Sequence, residues 1–248
     1  SFSKLLSLRT NLSSGFRAPN MFELLSDGIH EGTNRYEIGN QNLKTENSYQ
    51  IDASLNYRTQ HLELFASPYF NYIRDFIYLQ PTAQIIDDTP VYNYLQTNAF
   101  LYGGEAGVHF HPHPLDWLHL EASYSNTFGR NIDNDYLPLM PSQKIKANVS
   151  LIFSTKNILK KYSFYVQNLY SFAQNQVAEL ETKTPAYNLI NAGANFEFQF
   201  GKQKILLNIA ANNLLNERYF DHLSRYKTED ILNMGRNVVA KIGYFFNG

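Results

Sequence analysis

The sequence contains no cysteine, which rules out a disulfide framework, a thiolate metal site and a cysteine nucleophile. It contains no run of about 18 apolar residues, so no transmembrane helix is expected. Its first residues, Ser1-Phe2-Ser3-Lys4-Leu5-Leu6, lack the basic, apolar and small-residue regions of a signal peptide. They read as the middle of a strand, and a longer parent protein is expected. Charge is also scarce: Asp, Glu, Lys and Arg make up 17% of the 248 residues, against about 25% in an ordinary soluble domain. The net charge of −1 gives no electrostatic basis for nucleic-acid binding, and none is expected. No repeat, low-complexity tract or linker divides the chain, which reads as one unit.

Aromatic residues are plentiful, at 15%, with 18 Tyr and 18 Phe. The chain also alternates. In Tyr49-Gln50-Ile51-Asp52-Ala53-Ser54-Leu55-Asn56-Tyr57-Arg58 every second residue is apolar. Side chains on a strand alternate faces, so one face of this segment meets apolar surroundings and the other meets water. The pattern recurs at Ile145, Ala147, Val149, Leu151 and Phe153, and at Ala192, Ala194, Phe196, Phe198 and Phe200. It returns at Leu118–Tyr124 and from Val238 to Phe246. About ten strands are expected, near 2–16, 47–58, 62–79, 92–111, 117–130, 143–154, 162–175, 187–200, 204–219 and 232–246. The seventh and ninth alternate poorly, and Pro68, which lacks a ladder donor, predicts a bulge in the third.

The connections are alternately short (58–62, 111–117, 154–162, 200–204) and long (17–46, 80–92, 130–143, 175–187, 219–233). Acidic residues, including Asp27, Glu31, Glu37, Asp87, Asp88, Asp133, Asp135, Glu179, Glu181, Glu229 and Asp230, fall mostly in the long ones. Arg58, Lys156, Lys160, Lys161, Lys202 and Lys204 fall at the short ones. Strands of this length with this loop asymmetry define an all-β fold, an antiparallel transmembrane β-barrel. Its outward face should carry Tyr49, Ile51, Leu55, Ile145, Val149, Leu151, Phe196, Phe198, Ile242 and Tyr244.

Three segments give the pattern a family likeness. They are Gly15-Phe16-Arg17-Ala18-Pro19-Asn20-Met21-Phe22-Glu23-Leu24, then Gly39-Asn40-Gln41-Asn42-Leu43-Lys44-Thr45-Glu46, then Asn213-Leu214-Leu215-Asn216-Glu217-Arg218-Tyr219 with Gly235-Arg236-Asn237 after it. Asn98-Ala99 followed by Gly103-Gly104-Glu105 adds a fourth. In this order they resemble TonB-dependent outer-membrane receptors, with Thr45 standing where the family usually has Pro. The resemblance implies a barrel of the 22-stranded, plugged type, of which these strands would be the C-terminal part. The plug, the TonB-contacting region and the earlier strands would precede Ser1. It further implies a Gram-negative outer membrane, contact with lipid and lipopolysaccharide, a TonB complex as partner, and active uptake of a ligand such as a ferric siderophore, haem, cobalamin or an oligosaccharide. Family barrels usually end on an aromatic residue; here Asn247 and Gly248 follow Phe246.

Residue by residue, Arg17 is placed to fix the base of the first long loop through a carboxylate fork. Pro19 stops strand pairing there. Gly39-Asn40 reads as a turn into the next strand, and Glu46 opens that strand within reach of Arg17. Asn213, Tyr219, Gly235 and Arg236 are expected to do similar work at the last long loop. Ligand contacts are expected from loop tips: Arg35, Tyr36, Tyr92, Tyr94, Asp133, Asp135, Tyr136, His222, Arg225 and Tyr226. Loop packing and lipopolysaccharide contact compete for the same residues. His109, His111 and His113 share a strand face, as metal ligands could. The segment runs into Pro112, Pro114 and a short turn, so no metal and no cofactor are expected.

Two other functions fit parts of the sequence. A barrel enzyme would need a nucleophile, base and orienting group, and His222 with Asp221, Ser224 and Asp230 is the one loop grouping of that kind. A soluble β-sandwich binding module would explain alternation, but not the strand lengths or the loop asymmetry.

Overall fold

A computed structural model describes residues 5–30 and 35–246. Residues 2–4 of the expected first strand, Glu31, Asn247 and Gly248 lie outside them. The described residues fold as one 12-stranded sheet with almost no helix. The wall strands are β1 (Leu6–Arg17), β4 (Glu46–Arg58), β5 (Leu62–Ile86), β6 (Thr89–Phe110), β7 (Leu118–Asn131), β8 (Lys144–Ser154), β9 (Leu159–Ser171), β10 (Tyr187–Phe200), β11 (Gln203–Asn212) and β12 (Asn237–Phe246). The first long connection adds α1 (Met21–Leu25), β2 (Asp27–His30) and β3 (Arg35–Ile38). A single 3-10 turn, Lys227–Glu229, lies in the last one.

Each wall strand pairs antiparallel with its neighbour in the chain, once the β2–β3 insertion is set aside. β1 and β12 are the two edges of the sheet. No helix among the described residues is long and apolar enough to cross a membrane; the strands form the wall.

Period-two alternation sorts the faces. Tyr49, Ile51, Leu55, Ile145, Val149, Ile242 and Tyr244 are exposed, while Leu151, Phe196 and Phe198 are half-buried. Neighbouring rings cover the last two. Phe153, Tyr162, Phe164, Phe196 and Phe198 form a continuous belt on the outer face near the short turns, each ring 5.1–6.5 Å from the next. Trp117 stacks on Phe153 at its margin. A second belt, Tyr49, Tyr72, Phe100 and Phe70, lies toward the long loops. Rings at two heights suit the two interfaces of a bilayer, where an apolar body and a polar edge are both solvated.

The inner face is polar and cross-linked. Tyr69 Oη donates to Thr127 Oγ1, Ser48 Oγ to Asn71 Oδ1, and Asn195 Nδ2 to Ser163 Oγ. Arg58 pairs with Glu63, and Lys204 with Glu197. The Ser48, Asn195, Arg58 and Lys204 pairs each join neighbouring strands on one face, while the Tyr69–Thr127 bond passes over Gly103 of β6 to join β5 to β7. β11 alternates poorly because Leu206 and Ala210 share the inner face with Lys204 and Asn208, as its register requires.

The structure corrects four boundary expectations. Pro68 makes no bulge: it pairs opposite Gly104 in β6, and the β4 ladder lapses at Ala53 and Ser54 without changing register. The register shifts lie further on, at Ile73/Phe76 and Pro81/Ile85. The segment 80–92 is not an open loop. β5 and β6 run on for 25 and 22 residues, against 13 in β4, and close through Asp87 and Asp88, both at positive φ. Two successive positive-φ residues are what a tight hairpin of this hand demands. The ninth expected strand stops at Asn212, because Asn213 takes φ 50° and turns the chain out of the sheet. The tenth begins at Asn237 rather than near 232. One pairing is parallel: β3 lies along β6 at Tyr36↔Val91, Glu37↔Tyr92 and Ile38↔Asn93.

Candidate ligand site at the long-loop end

The long connections meet above the wall, and each is fastened at its base. Arg17 closes β1. Its Nε donates to Glu46 Oε2 at 2.6 Å and its Nη1 to Glu23 at 2.8 Å. Glu46, directly opposite Arg17 in the ladder, accepts the Ile77 N–H through its other oxygen at 2.6 Å. One carboxylate therefore ties β1 to β5 across β4. Pro19 ends the pairing, and Asn20 starts α1 with a capping box: Asn20 Oδ1 accepts the Glu23 N–H, and Glu23 Oε2 accepts the Asn20 N–H. Gly39 packs against the end of this helix so closely that a Cβ would lie 2.6 Å from the Leu25 nitrogen. Asn40 Oδ1 accepts the Asn42 N–H and forms the turn into β4.

Asn213 fastens the last loop. Its buried side chain accepts the Glu217 N–H at 2.7 Å and donates to the Glu217 carbonyl at 2.9 Å. Tyr219 rests on Tyr187, centroids 4.4 Å apart. At the entry to β12 the backbone is the anchor: the Arg236 N–H donates to Asn216 Oδ1, which would lie 2.9 Å from a Cβ on Gly235.

Above these bases lies a cavity of about 440 Å³ whose lining includes Arg35, Tyr92, Leu139, Glu181, Arg225 and Lys227. Arg35, Tyr92 and Arg225 are thus brought together from three distant segments. Arg35 pairs with Glu37 at 2.8 Å and lies over the Tyr92 ring, 5.2 Å from its centre. Tyr94 does not line the cavity; its hydroxyl donates to Glu37 and braces that pair. Tyr36 donates to Asp27 on the exposed β2–β3 hairpin. Asp135 is tied to Asn131, and Tyr136 lies under the Arg130 guanidinium, 4.4 Å from ring centre, with its hydroxyl accepting from that residue. Asp133 and Tyr226 are exposed and away from the cavity lining.

His222 is not at a loop tip. It is 2% exposed, with Nδ1 at 3.0 Å from Thr184 Oγ1 and Nε2 at 3.1 Å from Glu181 Oε1. Lys227 reaches the same carboxylate at 3.5 Å. Burial pushes the Glu181 carboxyl up, but the His222 bond, the Leu139 N–H and the Lys227 charge outweigh it and hold it below its ordinary value. Burial lowers the Lys227 ammonium despite Glu181 beside it. Nearby, burial also raises Asp221, and the Lys144 ion pair at 3.0 Å and the Leu223 N–H more than reverse it. The grouping of His222 with Asp221 and Ser224 therefore does not assemble: Asp221 Oδ2 faces Lys144 and Tyr187. Thr184, whose hydroxyl lies beside His222, is itself buried.

Glu37 and Glu181 were legible only as long-loop acids and Glu23 only as part of a motif, and Lys227 was not singled out at all. Glu23 had a signal, Asn20-x-x-Glu23 just after Pro19. Glu181 and Lys227 had none, because 46 residues separate two charges whose pairing depends on loop packing.

An antiparallel wall, apolar and belted outside, polar inside, with short turns at one end and fastened loops at the other, defines a transmembrane β-barrel of the receptor kind. Residues 1–214 match the family model "TonB dependent receptor-like, beta-barrel", and the chain belongs to that family. Its fold is similar to the copper transporter OprC, at 19% identity and TM-score 0.79 over 97% of this chain and 37% of that one. It is also similar to the FrpB iron transporter from Neisseria meningitidis, at 16% identity and TM-score 0.69 over 99% of this chain and 38% of that one. The ferric enterobactin receptor PfeA of Pseudomonas aeruginosa aligns at 14% identity and TM-score 0.67, over 99% of this chain and 39% of that one. At these identities the likeness is one of fold. The chain spans less than two-fifths of each of these relatives.

Proposed function

We propose that this chain is the C-terminal part of the barrel wall of a TonB-dependent receptor in a Gram-negative outer membrane, and that the receptor actively imports a ferric siderophore. The edges β1 and β12, which pair with no further strand among the described residues, would join the remaining strands of a 22-stranded type of barrel. A plug and the contact with the TonB complex would belong to the preceding part. Lipid would meet the two aromatic belts, and lipopolysaccharide the outer flanks of the loops. The receptor is a transporter, not an enzyme.

The cavity at the long-loop end carries the ligand assignment. Three cationic side chains, Arg35, Arg225 and Lys227, line it with the Tyr92 ring and a single carboxylate, Glu181. A bulky anionic chelate suits such a site, since guanidinium groups donate to its oxygens and rings stack on its flat parts. The test is uptake of radiolabelled ferric siderophores by an iron-starved host carrying the full receptor. Arg225→Ala with Tyr92→Ala should reduce uptake while membrane insertion persists. Undiminished uptake after deletion of 222–226 would overturn the site. Recovery of the receptor from cells without detergent would overturn the membrane reading and favour a soluble binding module.

A further inference from the structure

The opposite end of the wall carries a second constellation. Five of the chain's seven histidines, His61, His109, His111, His113 and His119, gather where the β4–β5 turn meets the β6–β7 turn. The fold builds this cluster from two hairpins. The His111 N–H donates to the His61 carbonyl at 3.0 Å and clips the turns together. His61 Nδ1 then lies 3.4 Å from His111 Nδ1. Ligand atoms of His61, His111 and Asp116 all fall within 4.8 Å of one another. His113 sits beside them, its ring 5.5 Å from that of His61 and its Nδ1 3.6 Å from Asp116 Oδ1. His109 Nε2 and His119 Nδ1 approach to 3.0 Å one step further along the inner face.

We propose that His61, His111 and Asp116, with His113 adjoining, form a site for a divalent transition-metal cation of the Cu²⁺, Ni²⁺ or Zn²⁺ class. Imidazole nitrogen with one carboxylate oxygen is a donor set these borderline ions prefer to Ca²⁺ or Mg²⁺. Metal–nitrogen bonds of about 2.0–2.1 Å in a tetrahedral site place two nitrogens about 3.3 Å apart, and the His61–His111 spacing already matches. Two lone pairs facing each other at this distance need either a shared proton or a cation between them. The cation would join the two turns, as the backbone bond between them does. The site is independent of the ligand proposed for the other end: it uses other residues, on other loops.

The experiment takes the full receptor, free of any affinity tag, stripped with a chelator and held in detergent, and titrates it with Cu²⁺ while recording electron paramagnetic resonance. The expected result is one tightly bound Cu²⁺ per receptor with nitrogen hyperfine structure from more than one imidazole, and Zn²⁺ loaded beforehand should be displaced by Cu²⁺, which such donors hold more tightly. His61→Gln with His111→Gln should weaken binding by about tenfold or more, since loss even of an outer-shell partner costs roughly 10–100-fold. His30→Gln, on the β2–β3 hairpin at the other end, should leave it unchanged. A wild-type spectrum with only oxygen ligands would overturn the proposal without recourse to any variant. So would binding that survives the double substitution.

Discussion

In the wall, a residue's neighbours follow from its place in the ladder: Leu151 of β8 faces Leu118 of β7 and Phe164 of β9. In the loop crown they come from far along the chain: Glu181 meets His222 and Lys227, and Lys144 meets Asp221. The wall is held by a repeating backbone ladder that tolerates any side chain of the right polarity. The crown is held by a few charged contacts, buried at Glu181 and half-buried at Asp221, each made once. The wall should therefore respond to substitution according to face and depth, and the crown according to which ion pair is broken.

The largest effect is expected in the crown. Glu181→Ala would leave the buried Lys227 ammonium and His222 without their shared carboxylate, a loss of about 3–5 kcal/mol to local loop packing. Limited proteolysis of segments 175–186 and 219–233 would read it, with the wall's resistance to heating in detergent unchanged. Cooperative loss of the wall as well would break the distinction between the two regions.

Next comes depth within the wall. Val149, midway along β8 and 44% exposed, should lose roughly 2–4 kcal/mol as Val149→Arg if it lies at the bilayer midplane. Leu151→Arg, nearer the Phe153–Tyr162 belt, should lose less, because its charge reaches the interface. Reversible folding into lipid vesicles measures both, and equal losses would contradict the proposed depth.

Glu46→Ala tests the seam between the regions. It removes the acceptor of the buried Ile77 N–H and one partner of Arg17, which should cost about 1–3 kcal/mol. Faster hydrogen exchange at the upper ends of β1, β4 and β5, with the short-turn end unaffected, is the expected signature.

The smallest change is in pH response. Glu181 and Asp221 have carboxyls held below their ordinary value in the fold. Their contribution is fully present above the ordinary carboxylate range and is lost as pH falls through the lowered values. Hydrogen exchange in the crown should accelerate on acidification through that window while wall amides stay protected. Equal acceleration in both would refute the assignment of these groups to the crown alone.

Much of the wall was legible because strand physics is local. Tyr49, Ile51 and Leu55 alternate with Gln50, Asp52 and Asn56 whatever lies elsewhere in the chain, and a side-chain period of two fixes which face each must take. The motif around Arg17 and Glu46 was legible for a related reason: the two residues stand directly opposite in one antiparallel pair. The extension of β5 and β6 was not legible: 80–92 read as one of the long connections, while the turn that extends the hairpin rests on Asp87 and Asp88 adopting positive φ. Nor were the burial of His222, its bond to Glu181, or the meeting of His61 with His111 and Asp116. Sequence alone determined the alternation, the loop asymmetry and the family. Tertiary structure alone decided which charges share a buried pocket and which histidines share a turn, because those distances depend on how strands far apart in sequence are brought side by side.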